Sequence, residues 1–245
     1  MGSSAQAVLA SRVAAKARSP FYVIYSFVLL AIVVTGFAPT FFLNAFMAQR
    51  SIPGHVILHG VVGTSWYLLL LAQSTLVYFR NGALHRRIGA AGMWIALGMF
   101  AATAFAAVMV FPIRLAAGMP LADVHKFVQM ARPAQMVRDI GAVAGFVVYI
   151  FLALRWRRDV ELHKRLMMLG SIILSSAAIG RLGWVAPGLV PPPVLPMVIL
   201  FPLLGALVAN DLVTLGRVHR ATSLGGASLI GLFVILSAVV PALIG

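Results

Sequence analysis

Phe21 to Leu43 reads FYVIYSFVLLAIVVTGFAPTFFL, an unbroken run without one charged side chain. As a helix these 23 residues rise about 35 Å, more than the roughly 30 Å hydrocarbon thickness of a bilayer. Six further apolar runs follow, at 54–79, 87–112, 138–154, 165–186, 194–215 and 223–244. None alternates strictly as a barrel strand would. The expected fold is therefore all-α: a polytopic transmembrane bundle of about seven helices, with a basic cytoplasmic segment at 1–20 and a seven-helix membrane domain at 21–245.

Composition agrees. Hydrophobic residues make up 62% of the chain and charged residues 10%, against roughly 25% charged in a soluble domain. The 19 Lys and Arg outnumber the 5 Asp and Glu. These bases fall between apolar runs, so they read as topology signals facing the lipid bilayer, and nucleic acid is not an expected partner. Arg80, Arg86, Arg87, Arg155, Arg157, Arg158, Lys164, Arg165, Arg217 and Arg220 share one side with Arg12, Lys16 and Arg18. Arg50, Arg114, Lys126, Arg132 and Arg138 share the other. The first side is expected to be cytoplasmic, with Gly245 outside and a short interfacial helix within 113–137.

Cysteine is absent, which removes disulfides, thiolate metal sites and redox thiols. No glycine-rich phosphate loop, Ser/His/Asp set, multiple His boxes or glycosidase-type carboxylate pair is legible. Small residues in the third to fifth runs, including the G-x-x-x-G of Gly141 and Gly145, predict a tight core of spans two to five. Spans one, six and seven are then peripheral.

The polar residues inside the runs carry the functional information, because burying them in lipid is costly. His55, His59, Trp66 and Gln73 form one stripe on span two, expected to face the bundle interior. The H-x-x-x-H spacing of His55 and His59 suits a shared metal, though two ligands do not complete a site. Asp139 and Arg181 should lie at equal depth and pair, as a structural or transport ion pair. Asp211 either pairs with a base from one of the L-H-[RK]-R phrases at 84–87 and 162–165 or takes part in proton movement. Glu161 and Asp159 read as solvated.

Two phrases nearly repeat: LHRRIG at Leu84–Gly89 and LHKRLM at Leu162–Met167. Each sets a histidine and two bases before an outward run, which places His85 and His163 at similar depth. The bases Arg86, Arg87, Lys164 and Arg165 read as headgroup anchors.

The order H…Q…H-R-x-x-G followed by H-[RK]-x-x-M…R, carried here by His59, Gln73, His85 to Gly89 and His163 to Arg181, resembles an uncharacterised family of bacterial multi-pass membrane proteins. The resemblance covers about residues 55–185. More distantly, histidines on a four-helix core are similar to those of b-type membrane cytochromes and of small proteins implicated in haem-copper oxidase maturation. That likeness implies a bacterial inner-membrane protein holding haem b or a His-bound metal through His59, His85 and His163. Its role would be electron transfer or assembly of a respiratory complex. Two other readings stand beside it: a small-solute or proton transporter using Asp211, Asp139 and Arg181, and a non-catalytic accessory subunit.

Overall fold

The computed structural model describes residues 19–47, 51–116, 133–185 and 195–236, with side chains at 106–116, 133–136 and 184–185 set aside. The segment 1–18, the bases Arg50, Lys126 and Arg132, the loop carrying the expected interfacial helix, Pro191 to Pro193 and the C-terminal residues lie outside the described residues, as does the side chain of Arg114.

Every regular element among the described residues is helical. Span one is Phe21–Phe37, continued by a π-helical turn at Ala38–Phe42 around Pro39. Span two is Gly54–Tyr78. Span three combines Gly82–Gly89 with Ala91–Ala116, so it begins before the expected residue 87 and takes in the whole first phrase. Span four, Pro133–Arg155, extends beyond both ends of its apolar run. Span five bends by 42° at Ser175, between Val160–Leu174 and Ser176–Val185. Span six is Leu195–Leu215, and Arg220–Val234 forms the described part of span seven. Among the described residues, five helices are long and apolar enough to cross a membrane, six with the bent pair, while the helix at Arg220–Val234 is shorter.

Spans one to five close into a ring. Each packs on the next, and the second half of span five returns against span one. Trp66, Tyr67, Leu70, Phe146, Ile150, Leu169 and Leu29 fill it, all buried. In lipid no hydrophobic effect drives helices together, so contact depends on close packing and on hydrogen bonds between helices. Trp66 Nε1 donates to Ser171 Oγ at 3.0 Å, and Tyr67 Oη donates to the Ser171 carbonyl at 2.9 Å. These bonds pin span two to span five through the middle of the ring. Trp66 also meets Phe146 edge to face at 4.6 Å between centroids, a favoured aromatic geometry.

Spans two to five do pack together, but span one is not peripheral. A methyl group at Gly36 would stand 2.3 Å from the Ala178 carbonyl oxygen, so the backbones of spans one and five nearly touch there. Ser26 bonds Ser74 on span two at 2.9 Å. The G-x-x-x-G of span four has a different neighbour from the expected one. Gly141 faces Leu236, and Gly145 faces Leu232 together with Ile173 of span five. Span seven is further held where Tyr149 Oη donates to the Gly225 carbonyl at 2.7 Å.

Candidate functional site

The repeated phrase has a local structural cause. Span two ends with Arg80 in the left-handed region, φ 61°, and the Asn81 N–H bonded back to the Leu76 carbonyl at 2.8 Å. Asn81 then caps span three by accepting the Leu84 N–H at 3.1 Å. In the second copy Asp159 accepts the Leu162 N–H at 3.0 Å. Both are Asx N-caps placed three residues before the leucine, satisfying an amide that the helix leaves unpaired. The repeat is thus longer than it first reads: N-x-x-L-H-R-R and D-x-x-L-H-K-R. Asp159 is a cap rather than merely a solvated charge.

Beyond the caps the copies part. Arg86 and Arg87 are exposed, as anchors should be. Arg165, in the same register as Arg87, has no exposed surface, and the anchor expectation is corrected for it. Its guanidinium donates from Nε to Asp211 Oδ1 at 2.8 Å and from a terminal nitrogen to the same oxygen. It also donates to the Glu161 carbonyl at 2.8 Å and to the Glu161 carboxylate. Asp211, 1% exposed, uses its other oxygen to accept the His219 backbone N–H at 3.0 Å and the Thr222 hydroxyl at 2.5 Å. Lys164 completes the rim, 2.8 Å from Glu161 and over the Tyr22 ring at 5.1 Å. A buried ion pair survives only when its remaining donors and acceptors are satisfied, and the four bonds to Asp211 meet that condition. Glu161, expected in solvent, belongs to this clasp. It joins spans five and six to the start of span seven.

A second polar group lies at the same end. His163 Nδ1 is 2.8 Å from the Ala153 carbonyl. A carbonyl only accepts, so this nitrogen carries a proton and donates it there. His85 lies near enough to His163 and to Gln73 for both to act on it electrostatically. Its Nδ1 is buried without a partner, as are both amide atoms of the Gln73 side chain. Gln73 is 8% exposed. Its amide nitrogen packs beside Gly89, 3.4 Å from where a Cβ on that residue would stand.

The other end of the ring holds the remaining candidates. His59 Nδ1 shares a hydrogen bond with Thr103 Oγ1 at 3.1 Å. Arg181 acts electrostatically on His59, and Asp139 on Arg181. Arg181 also donates to the Ala177 carbonyl at 2.9 Å and covers the Phe37 ring at 4.7 Å. His55 meets Phe105 edge to face at 6.4 Å. Fourteen residues, about 21 Å of helix rise, separate His59 from Gln73. The histidines therefore divide: His85 with His163 at the basic end, and His59 with His55 at the opposite end. No group of three or more His, Cys, Asp or Glu able to hold a metal ion occurs among the described residues.

His219 bridges the clasp and span seven. Its ring Nδ1 accepts the Ala221 N–H at 3.1 Å as an N-cap. Partial burial, followed by the nearby Arg165 charge, holds its pKa below the usual 6.5.

Fold and sites together define an all-helical bundle with the composition of a polytopic membrane protein, carrying a buried ion clasp and a histidine–glutamine group at its basic end. No family model, curated protein or solved structure matches the chain.

Proposed function

We propose that this is an integral membrane protein that binds haem b through His85 and His163 and serves electron transfer or the assembly of a respiratory complex. The observation that carries the reading is the pair of imidazoles at the basic end. His163 holds one nitrogen at the Ala153 carbonyl, the kind of outer contact that orients a ligating histidine. His85 Nδ1 is buried without a partner, a costly arrangement unless something binds it.

Ligand count favours haem over a bare ion. Haem iron brings four pyrrole nitrogens and asks the protein for two axial ligands, whereas a zinc-like ion asks for three or four. Two imidazoles from different helices suit the first and leave the second incomplete. The bases Arg86, Arg87 and Lys164 stand along the same end and suit propionates. When bound, the haem would supply one-electron chemistry. The chain's own residues orient the His163 imidazole, exclude water with the Trp66–Phe146 core and set the charge around the site. His59 takes no part in this ligand set. We further propose that the basic end faces the cytoplasm of a bacterial inner membrane, with the N-terminus inside and Gly245 outside.

The transporter reading draws less support. Its inner carboxylate, Asp211, accepts four hydrogen bonds, which suits a lock better than a carrier. Visible spectra of detergent-purified protein, oxidised and dithionite-reduced, with metal analysis on the same sample, test the proposal. A reducible Soret and α band is expected. A protein that stays colourless and metal-free after haem is added back would refute it.

A further inference from the structure

Gln73 is the buried polar side chain that neither the clasp nor the imidazole pair uses. It lies on span two, five residues before the helix ends at Tyr78, about 7.5 Å inside that end. Both amide atoms lack partners, and burying an amide without compensation is costly. The amide packs against Gly89, 3.4 Å from where a Cβ on that residue would stand. The side chain thus offers an N–H donor group and a carbonyl acceptor, both below the membrane end of span two. Val77, one turn past Gln73, and Leu84, next to His85, are exposed apolar residues on spans two and three.

A ligand that fits must carry a small polar head and an apolar tail, and must reach the site through lipid. We infer that the Gln73 amide, packed against Gly89, binds the headgroup of a membrane-dissolved quinone or quinol. The amide suits both redox forms. Its N–H donates to a quinone carbonyl, and its carbonyl accepts from a quinol hydroxyl. The choice of a quinone rests on the redox reading above; the need for an amphipathic partner rests on Gln73 alone.

The test uses the full chain in nanodiscs of quinone-free phosphatidylcholine, titrated with decyl-ubiquinone. Quenching of tryptophan fluorescence is the readout, since Trp66 lies two helical turns from Gln73, about 10.5 Å away. Saturable binding is expected for the wild type. Gln73→Leu and Gly89→Val should each weaken it roughly tenfold, the worth of one good hydrogen bond. Gln73→Leu should also raise the melting temperature, because it removes a buried unpartnered amide. Equal affinity of the wild type and Gln73→Leu would overturn the inference. So would a lowered melting temperature in Gln73→Leu, which would make the glutamine structural, or equally tight displacement by oleic acid, which would make the site a carboxyl pocket. Haem is scored separately by its spectrum. Quinone binding without haem would leave this site standing and remove the redox role, and haem without quinone binding would do the reverse.

Discussion

Arg165 shows how differently two matching residues can behave. Arg87 and Arg165 end matching four-residue phrases, yet one is exposed and the other fully buried. The difference comes from Asp211, 46 residues further on, which gives Arg165 a partner that Arg87 lacks in this register. Removing one member of a buried pair strands the other charge, at a cost of about 3–5 kcal/mol. Arg165→Met and Asp211→Leu should each lower the melting temperature of the purified protein. The double change should cost less than the sum of the two. Additive losses would mean the clasp contributes no coupled stability.

His219 permits a pH prediction at the same scale. Its folded pKa lies below 6.5, so the folded state favours the neutral ring that accepts the Ala221 N–H. The unfolded chain then binds more protons between the two pKa values, and stability rises with pH across that window. The contribution is complete above pH 6.5 and is lost as pH falls through the depressed folded value. His219→Asn keeps a capping oxygen but does not titrate. Melting temperatures from pH 5 to 8 should show the acid loss in the wild type and a flatter profile in the variant. Matching profiles would assign the acid sensitivity elsewhere.

Among elements, the glycines separate close backbone approach from loose side-chain contact. A methyl at Gly36 meets a backbone oxygen, while one at Gly141 meets the far end of the Leu236 side chain. Leucine can rotate away; a helix carbonyl cannot. Gly36→Ala should therefore force spans one and five apart and destabilise by about 1–3 kcal/mol. Gly141→Ala should be neutral or slightly stabilising, because alanine is the better helix former. Thermal unfolding in detergent compares the two, and an equal loss would show that Gly36 is not a point of closest approach. The expectation that G-x-x-x-G marks the central core fails for a related reason. The motif reports that something can come near, not which helix does, and here it faces largely span seven.

For the whole molecule, the parts legible in sequence were those written in composition and local pattern. The apolar runs are helices because their lengths match a bilayer, and the span-two stripe turns Trp66 and Gln73 inward because the period of a helix requires it. What the chain alone could not show were partnerships between spans far apart in sequence. The ring closed by span one and the bond from His163 to Ala153 both depend on tertiary packing, whereas the separation of His59 from His85 follows from helix rise along span two. Asp211 was legible as a carboxylate that must find a base, but not which base, since Arg87 and Arg165 read alike. The bend at Ser175 has no proline to announce it.

At this scale the central proposal is that His85 and His163, the histidines of the twice-written phrase, form a single ligand site at the basic end of the ring. Electron paramagnetic resonance of the oxidised, haem-loaded protein tests it most directly, on the wild type and on His85→Ala, His163→Ala and His59→Ala. The account predicts a low-spin bis-imidazole signal in the wild type and in His59→Ala, lost equally in the other two. Retention of that signal in either His85→Ala or His163→Ala, or its loss in His59→Ala alone, would contradict the claim.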